Sequence, residues 1–74
     1  MNESKLRFKV IVQEDQMGEV VGSLNRFGAL LEGMDEGEFG GKAVRCQMSI
    51  YESYAFEQWL KSSPKISAQL IKVQ

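Results

Sequence analysis

Residues 14–34, EDQMGEVVGSLNRFGALLEGM, decide the fold of this chain. Met17, Val20, Val21, Leu24 and Phe27 recur at helical spacing and make one apolar stripe. Asp15 stands where an N-cap is expected. Glu19 near the start and Arg26 near the end both suit the helix dipole. Gly28 stands where the helix should stop, because glycine accepts a left-handed cap at no steric cost. Residues 29–36 then read as a strand, with Gly33 marking a bulge or a close backbone approach. Inside the helix, Gly18 and Gly22 each cost up to about 1 kcal/mol relative to alanine. The expected compensation is close packing against a second helix.

Upstream, residues 5–13 alternate. Leu6, Phe8, Val10 and Val12 share one face, and Arg7, Lys9, Ile11 and Gln13 share the other, as in a half-buried strand. Downstream, Glu38-Phe39-Gly40-Gly41 reads as a hairpin turn, with the Gly-Gly pair supplying positive φ. Residues 42–51 alternate again, Val44, Cys46, Met48 and Ile50 inward, Ala43, Arg45, Gln47 and Ser49 outward. Residues 52–61 predict a second helix with Ser49 or Tyr51 near its start and Ala55, Phe56, Trp59 and Leu60 as its stripe. Ser62-Ser63-Pro64 ends it, since proline cannot continue a helix. Residues 66–73 make the last strand, in which adjacent Leu70 and Ile71 leave two registers open.

The order is β-α-β-β-α-β. In a chain this short it predicts the α+β, ferredoxin-like arrangement, a four-stranded antiparallel sheet with two helices on one face. Right-handed crossovers place the first and third strands at the centre. There are no repeats, no low-complexity segments and no linker, so residues 1–74 read as one domain.

Composition excludes several classes. Net charge is -1, without the basic excess of domains that live on phosphate contacts. The chain has no histidine, which removes the commonest general base and the commonest transition-metal ligand. No catalytic constellation, cofactor or metal site is expected. The acidic residues Glu32, Asp35, Glu36 and Glu38 lack the ligand spacing of a calcium loop and read as a solvated hairpin. Gly40-Gly41-Lys42 lacks the leading glycine of a phosphate loop and precedes a strand. Cys46 is the single cysteine, so no internal disulfide is expected, which fits a reducing compartment. Facing inward, it reads as inert core filler. The first residues are charged, with no apolar leader core, and no apolar run approaches the roughly 20 residues of a membrane span. The expectation is a soluble cytoplasmic protein.

The face of the sheet without helices is the candidate interaction surface. It gathers Arg7, Lys9 and Ile11 from the first strand, Arg45 and Gln47 from the third, and Ile71. Such a face suits self-association, an acidic protein partner, or RNA. RNA-reading sheets of this topology carry stacking aromatics there, and the alternation places none on this one.

The run Glu14-Asp15-Gln16-Met17-Gly18-Glu19-Val20-Val21-Gly22-Ser23-Leu24-Asn25-Arg26 resembles the start of the C-terminal domain (domain V) of elongation factor G and related translational GTPases. Gly28, Leu30, Leu31, Gly33 and Met34 continue the pattern, and Ile50, Glu52, Tyr54, Ala55, Phe56, Leu60 and Lys61 are similar to the family's second helix. The resemblance implies the same fold and a place at the ribosome, against large-subunit rRNA. It carries over no nucleotide hydrolysis, because the GTPase domain is absent. Two segments depart from the family: the basic pair after Asn25 is Arg26-Phe27, and the Thr-x-Gly-basic segment before the last strand is Ser62-Ser63-Pro64-Lys65. Both remove features suited to rRNA contact. A second, shorter likeness, Asp15-x-x-Gly18-x-Val20, is similar to ACT domains, with Met17 where that family has proline. It implies an oligomer that binds amino acids near Asp15, Gly18 and Gly22. The combined expectation is a non-enzymatic binding or assembly module docking on a protein or ribonucleoprotein partner, with an amino-acid-sensing homodimer as the alternative.

Overall fold

Residues 4–73 are described by a computed structural model. Strand β1 (Leu6–Gln13) leads through a 3-10 turn (Glu14–Gln16) into helix α1 (Met17–Arg26) and strand β2 (Leu30–Glu36). A second 3-10 turn (Glu38–Gly40), strand β3 (Gly41–Met48), helix α2 (Ile50–Lys61) and strand β4 (Ala68–Lys72) follow. The sheet is antiparallel with order β2-β3-β1-β4, so the first and third strands are central, as the crossover rule requires. Phe8, Val10 and Val12 of β1 and Val44, Cys46 and Met48 of β3 meet Val20 and Leu24 of α1 and Phe56 of α2 in one buried cluster. Both helices thus cover the same side of the sheet. This is the ferredoxin-like α+β architecture that the alternation and helical spacing predict.

Pairing with β1 settles the register of β4. Leu70 lies opposite Val10 and packs against the core, while Ile71 lies opposite Lys9 on the uncovered face. The strand begins at Ala68 rather than at Ile66, whose side chain still packs against the core.

The helix ends differ from the sequence reading in instructive ways. Asp15 does not cap α1. It lies inside the 3-10 turn, and the N-cap is Gln16, whose side chain makes no capping bond. Gln16 instead spans outward: its Nε2 donates to the Lys65 carbonyl at 2.6 Å, and its Oε1 accepts from the Ser67 backbone N–H at 2.7 Å. One amide side chain thereby ties the end of β1 to the approach of β4. Gly28 does end α1, with φ 90. Its N–H donates to the Asn25 carbonyl at 3.1 Å and that of Ala29 to the Leu24 carbonyl at 2.9 Å, the paired bonds of a Schellman motif.

At α2 the period-two pattern overruns the strand. Ile50 is the first helical residue and is exposed, not inward, and Ser49 is buried, not outward. Ser49 forms a capping box: its Oγ accepts from the Glu52 N–H at 3.1 Å, and Glu52 Oε1 accepts from the Ser49 N–H at 2.8 Å. Lys5 Nζ donates to the same Glu52 oxygen at 2.7 Å and reaches the Gly28 carbonyl at 3.4 Å. The start of β1, the end of α1 and the start of α2 thus meet at one carboxylate.

The hydrogen bond from Lys5, and then the Ser49 backbone N–H, hold the Glu52 carboxyl below the usual glutamate range despite some desolvation. A carboxyl depressed by folding contributes stability that is present above its unfolded pKa and is lost as pH falls through its folded pKa. Glu52→Gln should therefore cost about 1 kcal/mol at pH 7. That difference should shrink as urea titrations are moved below about pH 4. A pH-independent difference would show that the ionised form is not what holds the three ends.

Strand β2 lies at the edge, with its register shifted between Leu31 and Gly33 so that Glu32 is an extra residue. The Arg45 guanidinium lies directly over Gly33, where a Cβ would collide with its Nη2. The bulge read from Gly33 is therefore present, and what approaches its backbone is a side chain rather than another strand. Leu30, Leu31 and Met34 on this strand are exposed. In the hairpin, the Gly37 N–H donates to the Gly41 carbonyl at 2.8 Å. The positive-φ pair is Phe39-Gly40, with φ 56 and 78, rather than Gly40-Gly41, because Gly41 already belongs to β3.

Cys46 is fully buried, and burial, aided by the charge of Glu32, pushes its thiol up to about 11. In native buffer near pH 8 an aromatic disulfide reagent should modify it only through opening of the fold, at a rate that climbs with urea. Immediate stoichiometric reaction would contradict that burial. Among the described residues no helix is long and apolar enough to cross a membrane.

Candidate functional site

The uncovered face of the sheet is built by alternation. Since Phe8, Val10 and Val12 enter the core, Arg7, Lys9 and Ile11 emerge on the other side. Register then sets Arg7 opposite Gln47, Lys9 opposite Arg45 and Ile11 opposite Ala43. The five residues read from the sequence as an interaction face, Arg7, Lys9, Ile11, Arg45 and Gln47, are thus brought together, and Ile71 joins them beside Lys9.

Their electrostatics are not uniform. Arg45 Nε donates to Asp35 Oδ2 at 2.8 Å, and Gln47 Nε2 donates to Glu32 Oε2 at 2.7 Å. The polar groups of β3 are therefore engaged by the acidic edge strand. Arg7 and Lys9 have no ion pair among the described residues. The face is banded: acids on β2, satisfied pairs on β3, two unmatched cations on β1, and Ile71 on β4. The three-cation cluster expected from the sequence is in effect a two-cation one, because Asp35 pairs with Arg45.

One candidate residue escapes the strand alternation. Phe39 stands at the hairpin tip, 93% exposed and outside the core cluster. Its φ of 56 is a left-handed conformation that bulky side chains rarely adopt, a strain of order 1–3 kcal/mol. With it, a shallow concavity of about 570 Å³ opens at the hairpin end of the face, lined by Lys9, Ile11, Gln13, Glu36, Phe39 and Ala43. The strands put no aromatic on the face, as the alternation predicts, but Phe39 adds one at its rim from the hairpin turn. The available signal was an aromatic in a turn where glycine or asparagine is the easier choice.

The second candidate set, Asp15, Gly18 and Gly22, lies apart from this face, at the junction of β1 and α1. All three residues are exposed. A Cβ built on Gly18 or Gly22 meets nothing within 4 Å, so the expected close packing against α2 is absent. The buried small side chains of the two helices are instead Ser23 and Ser53, whose hydroxyls accept from Arg26 Nη2 at 3.1 Å and donate to the Ile50 carbonyl at 2.8 Å respectively. Gly18→Ala and Gly22→Ala should accordingly each stabilise the chain, by up to about 1 kcal/mol. A fall in melting temperature for either would reveal a packing constraint.

Among the described residues no group of three acidic or cysteine side chains lies close enough to hold a metal ion. Set against models of known protein families, the chain matches none.

Proposed function

We propose that this chain is a non-enzymatic binding or assembly module that docks on a protein or ribonucleoprotein partner through the open face of its sheet. The observation that carries this reading is the pair of cations, Arg7 and Lys9, unmatched among the described residues, at the middle of a face that neither helix covers. Flanked by Ile11 and Ile71, they offer apolar area together with charge that a complementary surface would neutralise. The resemblance to domain V of elongation factor G points the same way, as that domain is also a docking module. Photo-cross-linkers at Ile71, on this face, and at Glu57, exposed on α2, test the reading. Adducts should form from position 71, be lost in Arg7→Glu/Lys9→Glu, and be absent from position 57. Equal labelling from both positions would sink the proposal.

A second reading, an ACT-like homodimer sensing an amino acid, draws on the open space above Gly18 and Gly22. It predicts that one amino acid raises the melting temperature by mass action and that Gly18→Leu abolishes the rise. A complete amino-acid panel without a shift removes it.

A further inference from the structure

Phe39 is the least economical residue of the molecule. It holds a left-handed conformation and is 93% exposed, so its side chain gives little back to its own fold. Glycine at the same position would relieve the backbone without uncovering any core. Strain kept at an exposed aromatic points to a contact made outside the chain. The concavity beside it indicates what that contact is. Its floor is apolar, from Ile11 and Ala43, and Phe39 lines it as well. Among the described residues its charged lining is Lys9 and Glu36, and Lys42 Nζ already holds Glu36 Oε2 at 2.7 Å. The charge left to meet a visitor is therefore positive.

Resting on the reading of the open face as a docking surface, we infer that this concavity is its anchor point. It takes one apolar side chain of an acidic protein segment against Phe39 and the Ile11–Ala43 floor, with a neighbouring carboxylate of that segment on Lys9. Arg7, two residues along the same face of β1, continues the cationic row for a second carboxylate. Charge decides between a peptide and RNA. Glu32, held among the described residues only by the neutral Gln47, keeps its charge at the border of the same face on β2, and a phosphate chain crossing the sheet would run into it. An acidic peptide can place its few carboxylates on Arg7 and Lys9 alone.

A displayed library of random seven-residue peptides, selected on the intact chain, provides the probe. Enriched peptides should combine an aliphatic or aromatic residue with Asp or Glu. Their affinity should fall about tenfold or more with Phe39→Gly and with Lys9→Glu. Phe39→Gly should melt at the same or a higher temperature, which separates loss of the anchor from loss of the fold. Peptides that depend on Arg7 and Lys9 but ignore Phe39→Gly would overturn the anchor and leave the docking face standing. Peptides indifferent to Phe39→Gly, Lys9→Glu and Arg7→Glu alike would overturn both. No enrichment, enrichment of basic peptides, salt-sensitive binding of oligouridylate in place of peptides, or a dimer in light scattering that Phe39→Gly dissolves, would each overturn the acidic segment as occupant.

Discussion

Phe56→Ala should lower the stability of this chain by about 3–5 kcal/mol. A domain of this length has roughly 4–10 kcal/mol in total, so the variant should be largely unfolded at modest temperature. Phe56 is the largest fully buried side chain and the residue of α2 in the buried core cluster. Its ring also packs on Trp59, with centroids 5.8 Å apart. Removing it opens a cavity at the meeting point of the helix and the two central strands, and strands cannot shift to fill it without losing their ladder. Trp59 is the single tryptophan, so its fluorescence reports the loss directly. A variant that melts within a few degrees of the parent would mean that the packing of α2 on the sheet is wrong.

Gly28→Ala should be the next most damaging change, at about 2–4 kcal/mol. Two costs add. The φ of 90 strains any side chain, and a Cβ there would lie 2.6 Å from Glu52 Oε2. Glu52 cannot retreat freely, because its carboxylate closes the cap of α2 and holds Lys5. Displacing it undoes the Schellman turn and the capping box together. The coupling can be measured: Gly28→Ala and Glu52→Gln should be less damaging together than the sum of their separate effects in chemical denaturation. Strict additivity would show that the two ends act independently.

Both effects fall where the sequence was easy to read. Phe56 and Gly28 belong to regular patterns, a helical stripe and a helix stop, whose causes are local. Strand order was equally legible, because handedness and length leave few topologies for six elements. Most misreadings lie where one pattern competes with a contact that the spacing alone does not show. Asp15 is a good cap by type, yet Gln16 occupies the N-cap position and extends to Lys65 and Ser67 on the approach to β4. The alternation of β3 runs on through Ser49 and Ile50, but the capping box turns the chain at Ser49. Arg45 and Gln47 face the expected way, and the sequence could not show that β2 would supply Asp35 and Glu32 to them. Phe39 was invisible as a site because turn residues are read for their backbone and not for what they display.

The bulge at Glu32 also bears on how the chain keeps to itself. Edge strand β2 exposes Leu30, Leu31 and Met34, the composition of a strand that could template fibre growth. A second strand laid along it would fall out of step at Glu32 and meet the acids Glu32, Asp35 and Glu36 set among those apolar residues. A single inserted residue thus works as a guard against edge-to-edge aggregation. Deleting Glu32 would straighten the edge into a continuous ladder and trade solubility for it.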